Sequence, residues 1–448
     1  MATLIALVLL LILLSCGVQI AVALGLISAL LIAFHPAIPA AVLADVAIGA
    51  IDKYVLLAIP LFIFAGTVVT KGDVAARIIA LVETLVRPVR GAMALTAIIG
   101  GVFFAAVNGS SVAGAVALGP SLMTTLPAQG YPKRFVAALT AVASTVGLMI
   151  PPSLSFILIG SLMELSIVDL FVAGIIPGLV ESLLLGVATL WMAHRHQYGL
   201  PPQPIDVREF GRRLPPALAA LAMPVVIIGT IYAGLFTPTE VAAVAALYAA
   251  VLVGLIYRNV GFRDICGCAR ETVLQTAMIF MLLVSASLLT FVLTRLGLAR
   301  DILEITHRID PSPLAFLLFV NGLLLVLGTV FDGLSMILIS APILFPIAKA
   351  VGVDPIHFAV IMTANIEIAT LTPPVGLNVF VMSRIARLRV EETSRAVLPY
   401  PVEGQDRAAR ADHPDPGAFA LSGQADEVTC VRLHMHRNAN RGDTHDND

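Results

Sequence analysis

Two groups of small and hydroxyl-bearing residues interrupt a sequence that is otherwise almost entirely apolar. Hydroxyls, side-chain amides and unhindered backbone carbonyls are the oxygen ligands that hard cations such as Na⁺ prefer. In the first half of the chain, the candidate ligands and the residues beside them are Asn108, Gly109, Ser110, Ser111, Gly147, Pro151 and Pro152. In the second half, they are Thr329, Asp332, Glu367, Thr370, Thr372, Pro373, Pro374, Gly376 and Asn378.

These residues could also bind an anion, because they lie where apolar helices are expected to be interrupted. The amino-terminal end of a helix carries partial positive charge and attracts carboxylates, and we expect such ends at Ser111 and after Pro374. The alternative is that the hydroxyls satisfy only local backbone groups. We therefore predict ion and substrate binding at the two interruptions, with no resident cofactor and with Na⁺ as the coupling ion.

Two glutamates lie inside apolar stretches, where a carboxyl group is functional by default. Glu367 precedes Pro373 by six residues and is predicted to tune ion binding or to orient the neighbouring segment. Glu181 follows Pro177-Gly178 and is equally compatible with a role in helix packing.

The composition requires a membrane protein to position these groups. Of 448 residues, 58% are hydrophobic and 12% are charged, and the first charged residue is Asp45. Uncharged runs of this length are typical of membrane-spanning helices. A soluble enzyme, a nucleic-acid binder and a disordered scaffold are therefore disfavoured. The nucleophile, zinc and phosphate-loop motifs of membrane proteases and ATP-driven pumps are absent from the sequence, so we predict no enzymatic activity.

An internal duplication organises the chain. A shift of 222 residues superimposes Gly100 on Gly322, Pro120 on Pro342, Gly130 on Gly352, and Pro151-Pro152 on Pro373-Pro374. Because glycine and proline set where the backbone turns or breaks, matched positions indicate that both halves share one backbone plan.

Each half is predicted to contain a hairpin of two short apolar arms, followed by a long helix broken at the paired prolines. The hairpins are re-entrant in this interpretation, since each arm is shorter than the ~30 Å hydrocarbon core. Two ordinary short spans joined by a surface turn are the alternative. Irregular backbone inside a membrane survives only where it lines a protein cavity, so the breaks are predicted to line a binding site.

The resulting organisation has six parts. Residues 1–90 hold N-terminal scaffold helices and an amphipathic interfacial arm, and residues 194–214 form a cytoplasmic loop. Repeat 1 covers 91–193, with a hairpin at 91–126, a broken helix at 135–164 and a helix at 170–193. Residues 215–309 hold further scaffold helices and a second arm. Repeat 2 covers 313–390, with a hairpin at 313–350 and a broken helix at 355–388, and residues 391–448 form a polar, disordered tail.

Basic residues predict the orientation of the two repeats. Arg87, Arg90, Lys133 and Arg134 flank the first hairpin and place its open end in the cytoplasm, whereas the flanks of the second hairpin are poor in basic residues. Five crossings separate the hairpins in this scheme, so the second hairpin has the opposite orientation. The predicted fold class is thus an all-α polytopic membrane protein with an inverted repeat, an arrangement typical of secondary transporters.

Five segments resemble the large permease subunit of tripartite ATP-independent periplasmic (TRAP) transporters: Phe103–Gly119, Gly130–Phe135, Ile150–Ser153, Leu170–Gly178 and Leu371–Asn378. The resemblance covers residues 1–398. It implies an elevator-type importer of the ion transporter superfamily in the bacterial inner membrane, which is coupled to Na⁺ and takes organic acids such as C4-dicarboxylates or sugar acids. It also implies two partners, a small permease subunit on a separate chain and a periplasmic substrate-binding protein.

Two features leave room for another interpretation. A stand-alone, ion-coupled anion transporter of the same superfamily would have similar inverted hairpins and would need no partner. The family usually closes with one more apolar span, whereas residues 401–448 of this chain are polar. Charged residues at a helix centre oppose membrane insertion, so we expect this tail to stay in the cytoplasm.

Overall fold

Helices make up the regular structure of the chain. The computed structural model describes residues 16–34, 41–89, 91–297, 311–373 and 376–397, together with Leu9, Ile12, Leu13 and Pro39. Within these residues there is no strand, and seven helices are long and apolar enough to cross a membrane. An all-helical membrane protein was predicted from composition, and this part of the prediction is confirmed.

Seventeen α-helices are named here in chain order over the described residues. They are α1 (Ile20–Ala33), α2 (Ala41–Ile51), α3 (Ala58–Lys71), α4 (Val74–Val86), α5 (Leu95–Asn108), α6 (Ser111–Ala128), α7 (Lys133–Thr145), α8 (Leu154–Met163), α9 (Ile167–Arg195), α10 (Val207–Tyr232), α11 (Pro238–Val251), α12 (Phe262–Arg295), α13 (Pro313–Gly328), α14 (Gly333–Ala350), α15 (Pro355–Leu371), α16 (Leu377–Ala386) and α17 (Val390–Val397). The helices outside the two repeats pack on one another: α12 contacts α1, α2 and α3, and α11 contacts α3 and α10.

The amphipathic helix α4 is held to the start of α10 by four charged side chains. Arg87 and Arg213 each lie 2.5 Å from a carboxylate oxygen of Glu209, and Arg213 also lies 3.1 Å from Glu83. All four side chains are largely shielded from solvent. Alternating charges in one partly buried network stabilise each other more than isolated surface pairs do, so the network fixes α4 against α10.

Helix bounds reproduce the internal duplication. Adding 222 to the bounds of α6 gives 333–350, which are the bounds of α14, and adding 222 to Lys133 gives 355, where α15 begins. The paired glycines that follow α6 and α14 have nearly the same left-handed conformation, with φ +88° at Gly130 and φ +87° at Gly352. The two halves therefore share a backbone plan in structure as well as in sequence.

The halves exchange their packing partners. α8, the second piece of the broken helix of repeat 1, packs against α14 of repeat 2, and α16, the second piece of the broken helix of repeat 2, packs against α6 and α7 of repeat 1. This reciprocal arrangement places the two breaks within one helical assembly. α6 and α14 each have 18 residues and so could cross a membrane by length and composition; the re-entrant interpretation therefore stays a prediction.

Three boundaries differ from those predicted. Residues 391–397 were predicted to be disordered, and this is wrong, because α17 is helical and buries Thr393 and Ser394 against its neighbours. Charged residues dominate α17, and its burial depends on α7 and α16, which a local pattern does not reveal. Helix α12 also begins ten residues before the apolar segment predicted at 272–296. The predicted second arm at 300–309 and residues 398–448 lie outside the described residues.

Candidate functional site

The tip between α5 and α6 is a tight turn of two residues. Gly109 has φ +63°, a left-handed conformation that suits glycine, and it ends α5 immediately after Asn108. Ser110 is extended, and its hydroxyl oxygen accepts from the backbone N–H of Ala113 at 3.5 Å, so it caps α6. Ser111 is the first residue of α6 and is 4% exposed. Sequence chemistry therefore places a helix carboxyl end and a helix amino end side by side.

The first break lies directly against this tip. α7 ends at Thr145, a short 3₁₀ turn covers Val146–Leu148, and α8 begins at Leu154. The carbonyl of Gly109 accepts from the backbone N–H of Leu154 at 3.3 Å. A Cβ atom added to Gly109 would lie 2.3 Å from the carbonyl oxygen of Pro152, and one added to Gly147 would lie 3.7 Å from the carbonyl carbon of Ser110.

The predicted residues of the first half are therefore brought together. Asn108, Gly109, Ser111, Gly147, Pro151 and Pro152 are buried, and Ser110 is half-buried. The ends of four helices meet here: the carboxyl ends of α5 and α7 and the amino ends of α6 and α8. Carboxyl ends present carbonyl oxygens to a cation, and amino ends present N–H groups to an anion. The arrangement can thus bind a cation and an anionic group close together.

Asn108 joins the tip to helix α3 outside the repeat. Its side chain is 2% exposed and occupies the space above Gly66, where an added Cβ would lie 2.0 Å from the amide oxygen of Asn108. The Nδ2 group is buried and donates to no acceptor among the described residues. A buried amide with an unused donor is uncommon, and it points to a ligand or water as the missing acceptor.

At the second tip, the predicted oxygen ligands also serve the local backbone. One carboxylate oxygen of Asp332 accepts from the N–H groups of Leu334 and Ser335 at 3.2 Å, and the other accepts from the hydroxyl of Ser335. The hydroxyl of Thr329 donates to the carbonyl of Val326 at 2.7 Å. Asp332 is thus the amino-terminal cap of α14, which the aspartate-glycine pair in the sequence could have indicated.

The second break follows α15. Thr370 and Thr372 donate to the carbonyls of Glu367 and Ile368 at 2.7 Å, so their hydroxyl protons are used one helical turn back. Gly376 is buried and Pro373 is exposed, while Pro374 lies outside the described residues. These contacts stabilise the end of α15 just where the regular hydrogen-bond ladder stops.

Two buried side chains of repeat 2 reach into repeat 1. Asn378, on α16, is fully buried; its Nδ2 donates to the carbonyl of Ala141 on α7 at 3.3 Å, and its amide oxygen has no donor among the described residues. Glu367 is 5% exposed and lies within hydrogen-bonding range of Glu181 on α9. The sequence analysis identified each of these residues but not their partners, because the pairs are separated by more than 180 residues and no local pattern encodes them.

Comparison with known proteins places this arrangement in a family. Residues 7–403 match the family model described as "Tripartite ATP-independent periplasmic transporter, DctM component". The chain is 39% identical over 350 residues to the C4-dicarboxylate TRAP transporter large permease protein DctM of Pseudomonas aeruginosa, with 78% of this chain and 82% of that protein covered. It is 36% identical to the isethionate TRAP transporter permease protein DctMQ of Oleidesulfovibrio alaskensis over 86% of this chain but 60% of that longer protein.

A solved structure shows a similar fold. The YdaH transporter of Alcanivorax borkumensis superimposes with a TM-score of 0.56 over 80% of this chain and 83% of that chain, at 16% sequence identity. At that identity the likeness concerns the fold alone. The family model and the curated relative from Pseudomonas, by contrast, each cover most of the sequence. The chain therefore belongs to the DctM family of large permease subunits of tripartite ATP-independent periplasmic transporters.

Proposed function

We propose that this chain is the membrane subunit of a Na⁺-coupled importer of organic acids in the bacterial inner membrane. The observation that carries the proposal is the junction of the first tip with the first break, where Gly109 and Pro152 are in contact. This junction has oxygen ligands and helix ends but no side-chain charge of its own. Binding there thus depends on what enters together, a cation and an anion, which is the requirement for coupling.

The cation is assigned to the oxygen-rich side of the junction. The hydroxyls of Ser110 and Ser111 and the carbonyls of Gly147 and Pro152 surround the turn at Gly109, and the carboxyl ends of α5 and α7 add partial negative charge. A monovalent hard cation suits such neutral oxygen ligands. In this proposal Na⁺ neutralises the helix ends and organises the tip.

The anion is assigned to the amino ends of α6 and α8. Free N–H groups in the first turn of a helix bind carboxylates, and the unused Nδ2 donor of Asn108 is buried beside them. The relatives described above are named for C4-dicarboxylates and isethionate, which are small organic anions. A C4-dicarboxylate or a sugar acid is the proposed substrate class.

Movement of the two repeats against the remaining helices is the proposed transport step. The reciprocal contacts of α8 with α14 and of α16 with α6 join the repeats into one body. The network of Glu83, Arg87, Glu209 and Arg213 holds α4 to α10 outside that body. An inverted repeat with two re-entrant hairpins would let this body carry the site between the two sides of the membrane, as in an elevator.

Two partners complete the proposed transporter, a small permease subunit and a periplasmic substrate-binding protein. We expect proteoliposomes that contain this chain with the small subunit to take up a C4-dicarboxylate only when loaded binding protein is added outside. The control omits the small subunit or the binding protein in turn. Uptake that is equally fast without either partner would contradict the proposal and would favour a stand-alone anion transporter.

A further inference from the structure

Two carboxyl groups from different repeats meet in the apolar interior. Glu181 lies in the middle of α9, and Glu367 lies one turn before the end of α15. Their carboxyl groups are within hydrogen-bonding range of each other, and the hydroxyl of Thr145 is within range of Glu181. One carboxyl oxygen of Glu367 is buried and has no partner among the described residues. The pair is therefore closed off from solvent on the side of Glu367.

No positive charge compensates this pair within the described part of the chain, where neither glutamate forms an ion pair. The charged or titratable side chains on the helices packed around it lie near helix ends: Lys133, Arg134, Asp169, His194, Arg195, Arg208, Glu209, Arg212, Arg213, Lys349, His357 and Arg384. Asp169 is 12 residues from Glu181 on α9, which is ~18 Å along a helix. Two neighbouring carboxylates cannot both be ionised in such surroundings, so a hydrogen atom must lie between them.

Helix α9 connects this pair to both breaks. One and two turns before Glu181, Gly178 and Gly174 face the first break: an added Cβ would lie 2.7 Å from Ile150 at Gly178 and 2.5 Å from the carbonyl oxygen of Met149 at Gly174. On the other side, the carbonyl of Glu367 accepts from Thr370 at the edge of the second break. A contact between Glu181 and Glu367 therefore sets the spacing between the two breaks.

We propose that Glu181 and Glu367 form a proton-sharing carboxyl pair that positions the two breaks relative to each other. The hydrogen bond runs from the protonated carboxyl to the other carboxyl group and joins repeat 1 to repeat 2 through α9 and α15. Both glutamates are positioning residues in this proposal, and neither has to touch the transported ion or substrate. The expected effect of the pair on uptake rests on the proposed function, whereas its effect on stability does not.

A double-mutant cycle on the purified full chain tests the pair without any transport. Glu181→Leu and Glu367→Leu should each lower the midpoint of thermal unfolding, because each leaves one buried carboxyl without its partner. The double variant should lower it no further than the more damaging single variant. Glu181→Gln should match the wild type, because the amide oxygen still accepts from a protonated Glu367. Additive losses, or a Gln variant as damaging as the Leu variant, would overturn the proposal.

A second measurement separates positioning from simple stabilisation. In reconstituted transporter, Glu181→Leu should raise the Na⁺ concentration for half-maximal uptake by about fivefold or more, in the range of measured couplings between sites. Glu181→Gln should leave it unchanged. The matched control is Glu271→Gln, which alters an exposed glutamate bonded to Gln275 on α12. Unchanged Na⁺ dependence in the Leu variant would contradict the positioning role. If even the wild type takes up nothing, the unfolding cycle still decides whether the pair exists.

Discussion

Gly109→Ala is expected to abolish uptake. The substitution forces an alanine to adopt φ +63°, which costs about 1–2 kcal/mol in the left-handed region. It also places a Cβ atom 2.3 Å from the carbonyl oxygen of Pro152, closer than any real Cβ contact. Because both partners are backbone, the tip must move away from the break. We expect Na⁺-driven uptake to fall on the order of a hundredfold, since small displacements of positioning groups have effects of this size.

The chain contains a matched control for the backbone term. Gly130 has φ +88° and has no atom within 4 Å of an added Cβ, so Gly130→Ala carries the conformational cost without the clash. Uptake by both variants would be compared at equal abundance in the membrane. If Gly109→Ala and Gly130→Ala reduce uptake to the same degree, the contact between the tip and the break has no functional importance.

The second large effect is expected when the two serines of the first tip lose their hydroxyls. Ser110→Ala combined with Ser111→Ala removes two proposed oxygen ligands but leaves the backbone turn at Gly109 in place. We expect uptake at limiting Na⁺ to fall by about 10–100-fold, the range seen when support for a bound metal is removed. Ser110 also caps α6, and loss of that cap alone destabilises by about 1 kcal/mol.

Ser166→Ala separates the loss of the cap from the loss of a ligand. Ser166 is exposed and caps α9 through the N–H of Asp169 at 3.3 Å, but it lies away from both breaks along the chain. This variant should be destabilised to a similar degree and should still take up substrate normally. Wild-type uptake by the double serine variant would assign Ser110 and Ser111 to local backbone satisfaction only.

Much of the architecture could be predicted from the sequence because glycine and proline mark backbone interruptions directly. The bounds of α6 and α14 follow the 222-residue repeat, and the break between α7 and α8 coincides with Pro151-Pro152. A proline without an N–H and a glycine at positive φ act locally, so their positions are readable without tertiary information.

The contacts within the candidate site could not be predicted in the same way. Asn108 lies above Gly66, and Asn378 bonds the carbonyl of Ala141; each pair is distant in the sequence. Asp332 was predicted as a ligand from its residue type, yet its oxygens are already used as the cap of α14. Helix α17 was missed because its burial depends on α7 and α16 rather than on its own apolar content.

Ion dependence of uptake tests the central claim most directly. The chain would be reconstituted with its small subunit, supplied with loaded binding protein, and given an inward gradient of Na⁺, of K⁺ or of protons in turn. The proposed site of neutral oxygen ligands at Asn108–Ser111 and Gly147 predicts uptake with the Na⁺ gradient and none with the K⁺ or proton gradient alone. Uptake that persists without Na⁺ and follows the proton gradient would contradict the account.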